Sequence, residues 1–321
     1  MNRREKRSCP WKPASGGRKQ GSARIINHHS CFINPVGFTV IELLVVIAII
    51  ALLMSILVPT LQRVRKQAKG VVCRANLRQW GTIWATYAAE NDGRMPNYRD
   101  RPPEAGGAWG WGWALGWGWD DRKKVLESKW YALTKDILYC PMATKPANRP
   151  DYPWGGTFLA WGWPDSAADK LYLGHGSYGL NDWTHWLYST DDALSRKYGW
   201  LTTDVKNAAA VPAHLDSAMA SAAAWGWWLP PEHTHTLPPP PFDAVPTLVV
   251  PTSGPLDPVC INRHDGYVNS LFLDWSVRKV GLKELWTLKW HKEYNTRGPW
   301  TKAGGVRPED WPEWMRGFKD Y

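Results

Sequence analysis

The sequence is short of recognisable catalytic signatures. It has no Gly-x-Ser-x-Gly elbow, Walker A loop or His-Glu-x-x-His pair, and no EF-hand spacing. The common hydrolase, nucleotidase, zincin and calcium-loop chemistries therefore lack their usual scaffolds, and no enzyme is expected. None of the five cysteines falls in a Cys-x-x-Cys pair, which argues against a zinc knuckle or a thioredoxin-type centre. Cys9 and Cys31 lie near the N-terminus. Cys73, Cys140 and Cys260 remain, enough for one disulfide and one free thiol in any of three pairings. A nucleic-acid footprint is missing too. The chain carries 39 basic and 29 acidic residues, a net +10. Residues 1–37 hold eight of those bases (Arg3, Arg4, Lys6, Arg7, Lys12, Arg18, Lys19, Arg24) and one acid, Glu5, leaving 31 against 28. The remaining charge is mixed, so no nucleic-acid partner is expected.

What is present begins with the basic leader, residues 1–37, which has no apolar periodicity. Phe38 to Val58 follows, 21 residues with one charge, Glu42. As a helix rising about 1.5 Å per residue, the run covers the roughly 30 Å of a bilayer's hydrocarbon. It exceeds a secretory h-region, and no Ala-x-Ala site follows it, so it reads as a membrane span. The charges alone do not orient it, because Arg63, Arg65, Lys66, Lys69, Arg74 and Arg78 follow on the far side. Pro59 ends or kinks the apolar run. Helical spacing resumes through Leu61, Val64, Ala68, Leu77, Trp80 and Trp84, and Asn91-Asp92-Gly93 reads as a stop. The result is a helix of about fifty residues, apolar all round and then amphipathic.

Twenty-four tryptophans are unusual, many of them in Gly- and Pro-rich surroundings. Trp109, Trp111, Trp113, Trp117 and Trp119 alternate with Gly or Ala neighbours. This pattern suits either a loop that packs its rings inward or an aromatic platform for a glycan or protein partner. Ser128 to Cys140 reads as a helix and then a short strand, and Ser177 to Asn181 as a strand edge. Residues 229–258 read as a Pro-rich loop. Tyr267–Leu273 and Val277–Val280 are the clearest strands, joined by a turn at Asp274-Trp275-Ser276. A short helix is expected within Gly281–Trp290, followed by a wrapping tail.

Gly37-Phe38-Thr39-Val40-Ile41-Glu42, its apolar run and Pro59 resemble the N-terminus of type IV prepilins and type II secretion pseudopilins. Arg263-His264-Asp265-Gly266 through Asp274 resembles the His-x9-Asp-Gly segment of processing-associated prepilin-type proteins, with Trp275 in place of the second Gly. Cys73-Arg74-Ala75-Asn76-Leu77, Tyr87 to Pro96, Cys140-Pro141 and Ser177 to Asn181 are similar to other stretches of that group. The resemblance implies cleavage between Gly37 and Phe38 by a prepilin peptidase, N-methylation of Phe38, and assembly with other pseudopilin subunits through Phe38, Glu42 and Pro59. It implies a single-pass protein of the inner membrane, with lipid around residues 38–58 and an extracytoplasmic head after residue 92. The implied fold is α+β and pilin-like: a long N-terminal helix, membrane-spanning in its first half, on a small antiparallel sheet with long Trp-, Gly- and Pro-rich loops.

A carboxylate within a span costs about 2.5 kcal/mol or more at mid-helix and less near an end. Glu42 is therefore either interfacial or paired with the amine of Phe38. Cys73–Cys140 is the bridge that the family-like segments favour. His264 and Asp274 bracket a strand and suit a structural hairpin better than a catalytic dyad. His233 and His235 could face one way as metal ligands, though a Pro-rich loop is a poor scaffold. No cofactor is expected, apart from calcium at Asp92 and neighbouring loop acids. Trp275 weighs against a tight turn, because Trp resists positive φ. The competing class is a membrane-anchored envelope protein whose Trp-rich head binds glycan or a surface partner.

Overall fold

The computed structural model describes residues 39–95, 134, 136–145, 154–162, 175–185, 193–219, 221–222, 234–243, 254 and 256–321. Helix α1 runs Val40–Glu90. The chain divides into two compact units, Met1–Ser55 and Ile56–Tyr321, described in turn.

In the first unit, the N-terminus of α1 is closed by a capping box. Thr39 accepts the Leu43 amide on its carbonyl (3.2 Å), and its hydroxyl accepts the Glu42 amide at 3.3 Å. The Glu42 carboxylate reaches back to accept the Thr39 amide and hydroxyl, both at 2.9 Å. Thr at the cap and Glu three residues on satisfy donors that a helix start leaves orphaned. Beyond the cap, Val40, Ile41, Leu43, Leu44 and their apolar successors are exposed all round. The helix is long and apolar enough to cross a membrane.

In the second unit, α1 passes through Pro59 without ending. Thr60 Oγ1 donates to the carbonyls of Leu57 at 2.8 Å and Ile56 at 3.2 Å, close to where the missing proline N–H breaks the ladder. From Gly70 onward one stripe is buried: Gly70, Cys73, Asn76, Leu77, Trp80, Gly81, Trp84 and Ala88. This three- and four-residue spacing puts them on one helix face. The helix stops where Asn91-Asp92-Gly93 predicts. Asp92 (φ 55°) and Gly93 (φ 73°) turn left-handed, and the Gly93 amide donates back to Ala88 at 2.8 Å.

The stripe packs on a sheet of five strands: β3 (Tyr178–Asn181), β4 (Pro212–Asp216), β5 (Ser221–Ala222), β6 (Tyr267–Phe272) and β7 (Val277–Gly281). Their order is β5-β3-β4-β6-β7. The four longer strands are antiparallel, and two-residue β5 adds in parallel beside β3. A separate ribbon pairs β1 (Trp161–Gly162) with β2 (His175–Gly176). The arrangement is the α+β, pilin-like one expected. Ser177–Asn181, read from sequence as an edge, instead contributes an inner strand. The segment before Cys140 forms turns and bends over 136–139 where a strand was expected, and residues 128–133 lie outside the described residues.

Alternation along β6 assigns its two faces. Leu271 meets Gly81 of α1, while Val268 and Phe272 enter a second core with Leu215, Val280, Leu285, Trp286, Trp290 and Trp311. The C-terminal residues supply much of that second core through short 3-10 turns, including Lys283–Thr287 within the predicted closing segment. Tryptophan serves here in two ways: its ring fills the core, and in several cases its one donor satisfies a backbone carbonyl. Trp80 donates to Ile137 (3.1 Å), Trp161 to Tyr178 (2.9 Å), Trp290 to Leu285 (2.8 Å) and Trp314 to Pro240 (3.0 Å).

The β6–β7 turn corrects one expectation. Trp275 takes φ 66°, and the turn closes tightly: Ser276 donates to the Asp274 carboxylate from its amide (3.0 Å) and its hydroxyl (2.6 Å). Cross-strand pairing and this carboxylate cap hold a bulky residue in a conformation that costs it roughly 1–2 kcal/mol.

Glycine at 179 is required by close approach, since a Cβ there would lie 2.5 Å from the Met219 carbonyl oxygen and 2.8 Å from Ser217 Cβ. Gly179→Ala is expected to lower stability in urea by about 1–3 kcal/mol. Gly317→Ala, with nothing within 4 Å, is expected to stay within about 0.5 kcal/mol of the parent.

Candidate functional site

The most concentrated chemistry in the described residues lies where α1, the turn at Cys140, the end of β4 and the segment before β6 meet. Cys73 is on the buried stripe of α1. Cys140 is held by its amide, which donates to Ser177 Oγ at 2.5 Å, and by Asn76 of α1, whose Nδ2 donates to the neighbouring Tyr139 carbonyl at 2.9 Å. Asp216 ends β4. His264 precedes β6, its ring stacked on Tyr267 at 5.4 Å and 17°. Gly70 lets the helix come this close, because a Cβ there would sit 3.1 Å from Tyr267 Oη and 3.6 Å from His264 Nδ1. All four side chains are buried.

Their contacts are mutual. Cys73 Sγ donates to both Asp216 oxygens at 3.4 and 3.5 Å, and Cys140 Sγ lies 3.4 Å from His264 Nε2. His264 Nε2 is 3.1 Å from Asp216 Oδ2, and Tyr178 Oη donates to Cys73 Sγ at 3.4 Å. One ligand atom from each of Cys73, Cys140, Asp216 and His264 lies within 4.8 Å of the other three. The set has the donor types of a metal centre, two sulfurs, one imidazole nitrogen and one carboxylate oxygen.

Arg263 frames the cluster from behind. Its Nε donates to Thr157 O (2.7 Å), Nη1 to Ser177 O (2.5 Å) and Asp216 Oδ1 (3.3 Å), and Nη2 to Gly156 O and Ser217 O (both 3.0 Å). All five guanidinium donors are engaged. The Asn269 amide gives Asp216 Oδ2 a further bond at 2.8 Å.

The electrostatics follow from these neighbours. Burial pushes Asp216 up, but the charge and hydrogen bond of His264, with Arg263 and the Asn269 amide, hold it well below the usual carboxylate range. Burial pushes His264 down, and Asp216 more than offsets it, raising the imidazole to about 10. Burial drives the Cys73 thiol well up, reinforced by Cys140 and Asp216. Cys140 is also penalised by burial, yet its hydrogen bonds with Cys73 and His264 and the Arg263 charge bring it to about 7. It is the more acidic of two adjacent thiols.

These positions resolve several expectations. Cys73 and Cys140, the preferred bridge, are neighbours, and in the structure both are free thiols, each sulfur engaged with the carboxylate or imidazole of the same cluster. Cys260 is free as well, buried on the other side of the sheet 3.9 Å from Met315 Sδ. His264 turns toward Asp216, while Asp274 caps the turn at the far end of β6. His235 stacks edge-on against Tyr294 at 6.1 Å, and His233 lies outside the described residues. Gly37, Phe38 and the tryptophans Trp109, Trp111, Trp113, Trp117 and Trp119 also lie outside them. Sequence reasoning missed Asp216 and the framing role of Arg263. The ligand positions are separated by tens of residues, and no local spacing marks Asp216.

No family model matches the chain, and no solved structure does. Among curated proteins, 64 residues are 42% identical to the type IV wide pilus major component PilA4 of Thermus thermophilus. The likeness is to a pilus subunit. It covers 20% of this chain and 49% of that protein, so the chain spans about half the length of the curated relative it matches. With the long apolar helix, it makes the chain similar to pilins in sequence as well as in fold.

Replacing Arg263 by Lys leaves one ammonium with three donors facing carbonyls on four residues and the Asp216 carboxylate. Arg263→Lys is expected to destabilise the protein by about 3 kcal/mol or more in denaturant titration. Exposed Arg307→Lys, whose pair with Glu309 is at 3.7 Å, is expected to change stability by less than about 0.5 kcal/mol.

Proposed function

We propose that the chain is a pseudopilin-like structural subunit of a type II secretion or type IV pilus-like filament. In this reading prepilin peptidase cuts between Gly37 and Phe38 and methylates Phe38. The helix from Phe38 then lies in the inner membrane with other pseudopilin subunits and lipid, and the head stands outside the cytoplasm. The protein works by assembly and catalyses no reaction.

The observation that carries the proposal is the helix start: a capped, fully exposed apolar run whose single acid sits at its first turn. An exposed surface of this kind is stable only against lipid or against copies of itself. The likeness to a pilus major component supports the second as well as the first. Glu42 has two separable roles. Within its own chain it closes the capping box. In a low-dielectric filament core it would also neutralise the new amine of Phe38, on its own or a neighbouring subunit.

Glu42→Gln separates them, because Gln still caps but carries no charge. Mass spectrometry of the mature N-terminus is expected to find methyl-Phe38 in wild type, Glu42→Gln and Glu42→Val alike. An intact leader in the wild type would overturn the processing pathway. Crosslinking through the N-terminal helix is expected to fall roughly tenfold in both variants, as for a charge-assisted contact of about 1.5–3 kcal/mol. Normal incorporation of Glu42→Gln would reduce the residue to its cap.

A further inference from the structure

We infer that Cys73, Cys140, Asp216 and His264 form a closed, four-ligand site for a divalent metal ion of the zinc type. The site pins helix α1 to the sheet.

The donor set selects the ion. Thiolates exclude calcium and magnesium, which take oxygen ligands, and a set of two sulfurs, one imidazole and one carboxylate suits tetrahedral zinc. The spacing fits as well. With zinc–sulfur bonds of about 2.3 Å and zinc–nitrogen or –oxygen bonds of about 2.0–2.1 Å, the edges of the tetrahedron are about 3.5 Å from sulfur to nitrogen or oxygen, and about 3.3 Å from nitrogen to oxygen. With Asp216 Oδ2 as the ligand, the corresponding separations are 3.5 Å from Cys73 to Asp216, 3.4 Å from Cys140 to His264, and 3.1 Å from His264 to Asp216. These three edges are within a few tenths of an ångström of the tetrahedral values, and all four ligand atoms lie within 4.8 Å of one another. The ion displaces the proton between Nε2 and Oδ2 and the two thiol protons, all three released to solvent.

The surroundings are those of a ligated centre. Tyr178 Oη donates to Cys73 Sγ, the Asn269 amide donates to Asp216, and Tyr267 fixes the plane of His264. Charge closes too. A dication with two thiolates and one carboxylate carries a net −1, and Arg263, 3.3 Å from Asp216, supplies the compensating charge. Four buried ligands and no open position make the site structural. The two thiols would remain reduced outside the cytoplasm because the metal holds them.

The test uses the full-length chain in detergent. Elemental analysis after purification without chelator is expected to find one zinc per chain. Cobalt exchange is expected to give the thiolate charge-transfer and intense visible bands of a tetrahedral sulfur site, a readout that needs no variant. Cys140→Ser and His264→Ala are expected to lose the cobalt bands, and Cys260→Ser to keep them. Tyr178→Phe, which folds around an intact ligand set, is expected to weaken zinc about 10–100-fold in chelator competition. A Cys73–Cys140 disulfide in non-reducing peptide maps, a zinc-free protein without cobalt bands, or bands that survive Cys140→Ser would each overturn the assignment.

Discussion

The head is organised around one buried carboxylate. Asp216 carries its charge where water does not reach, and such a charge is tolerable only if paired and hydrogen-bonded from every side. Its partners come from distant parts of the chain: Cys73 from the helix, Arg263 and His264 from the segment before β6, and the Asn269 amide from within β6. Each of these partners supplies part of the compensation. Arg263 extends the demand outward, because its remaining donors fix carbonyls at Gly156, Thr157, Ser177 and Ser217. A loop, two strand ends and a helix are thereby tied to a single ionic point.

Around that point the sheet is covered on both faces by different means. The helix covers one face with a stripe of alternating small and large residues, in which Gly70 and Gly81 admit Tyr267 and Leu271. The other face is closed by a tail with almost no regular structure. There the indole rings do the work of secondary elements: all fill volume, and Trp290 and Trp314 also satisfy carbonyls of Leu285 and Pro240. The same logic explains how so loop-rich a head sustains a core.

What could be read from the sequence was local. The apolar run and the three- and four-residue spacing after it gave the helix, Asn91-Asp92-Gly93 gave its end, and period-two alternation gave the β6–β7 hairpin. The site was not legible, because its ligands share no spacing and meet only after the sheet forms. The segments that resemble prepilin-type proteins (around Cys73, Cys140, Ser177 and His264) do converge on it, so the resemblance marked the walls without disclosing the centre. Pro59 and Trp275 show the opposite failure. A correct local penalty was outweighed: at Pro59 the helix continues on both sides through the residue, and at Trp275 a carboxylate-capped turn holds the positive φ.

The cap on α1 carries a consequence for where the helix begins. Every group in it belongs to Thr39, Glu42 or Leu43. Among the described residues the first turn is closed by its own side chains, so the helix start is written into residues 39–43 themselves, and a substitution at Thr39 or Glu42 alters that start as well as any contact the two residues make.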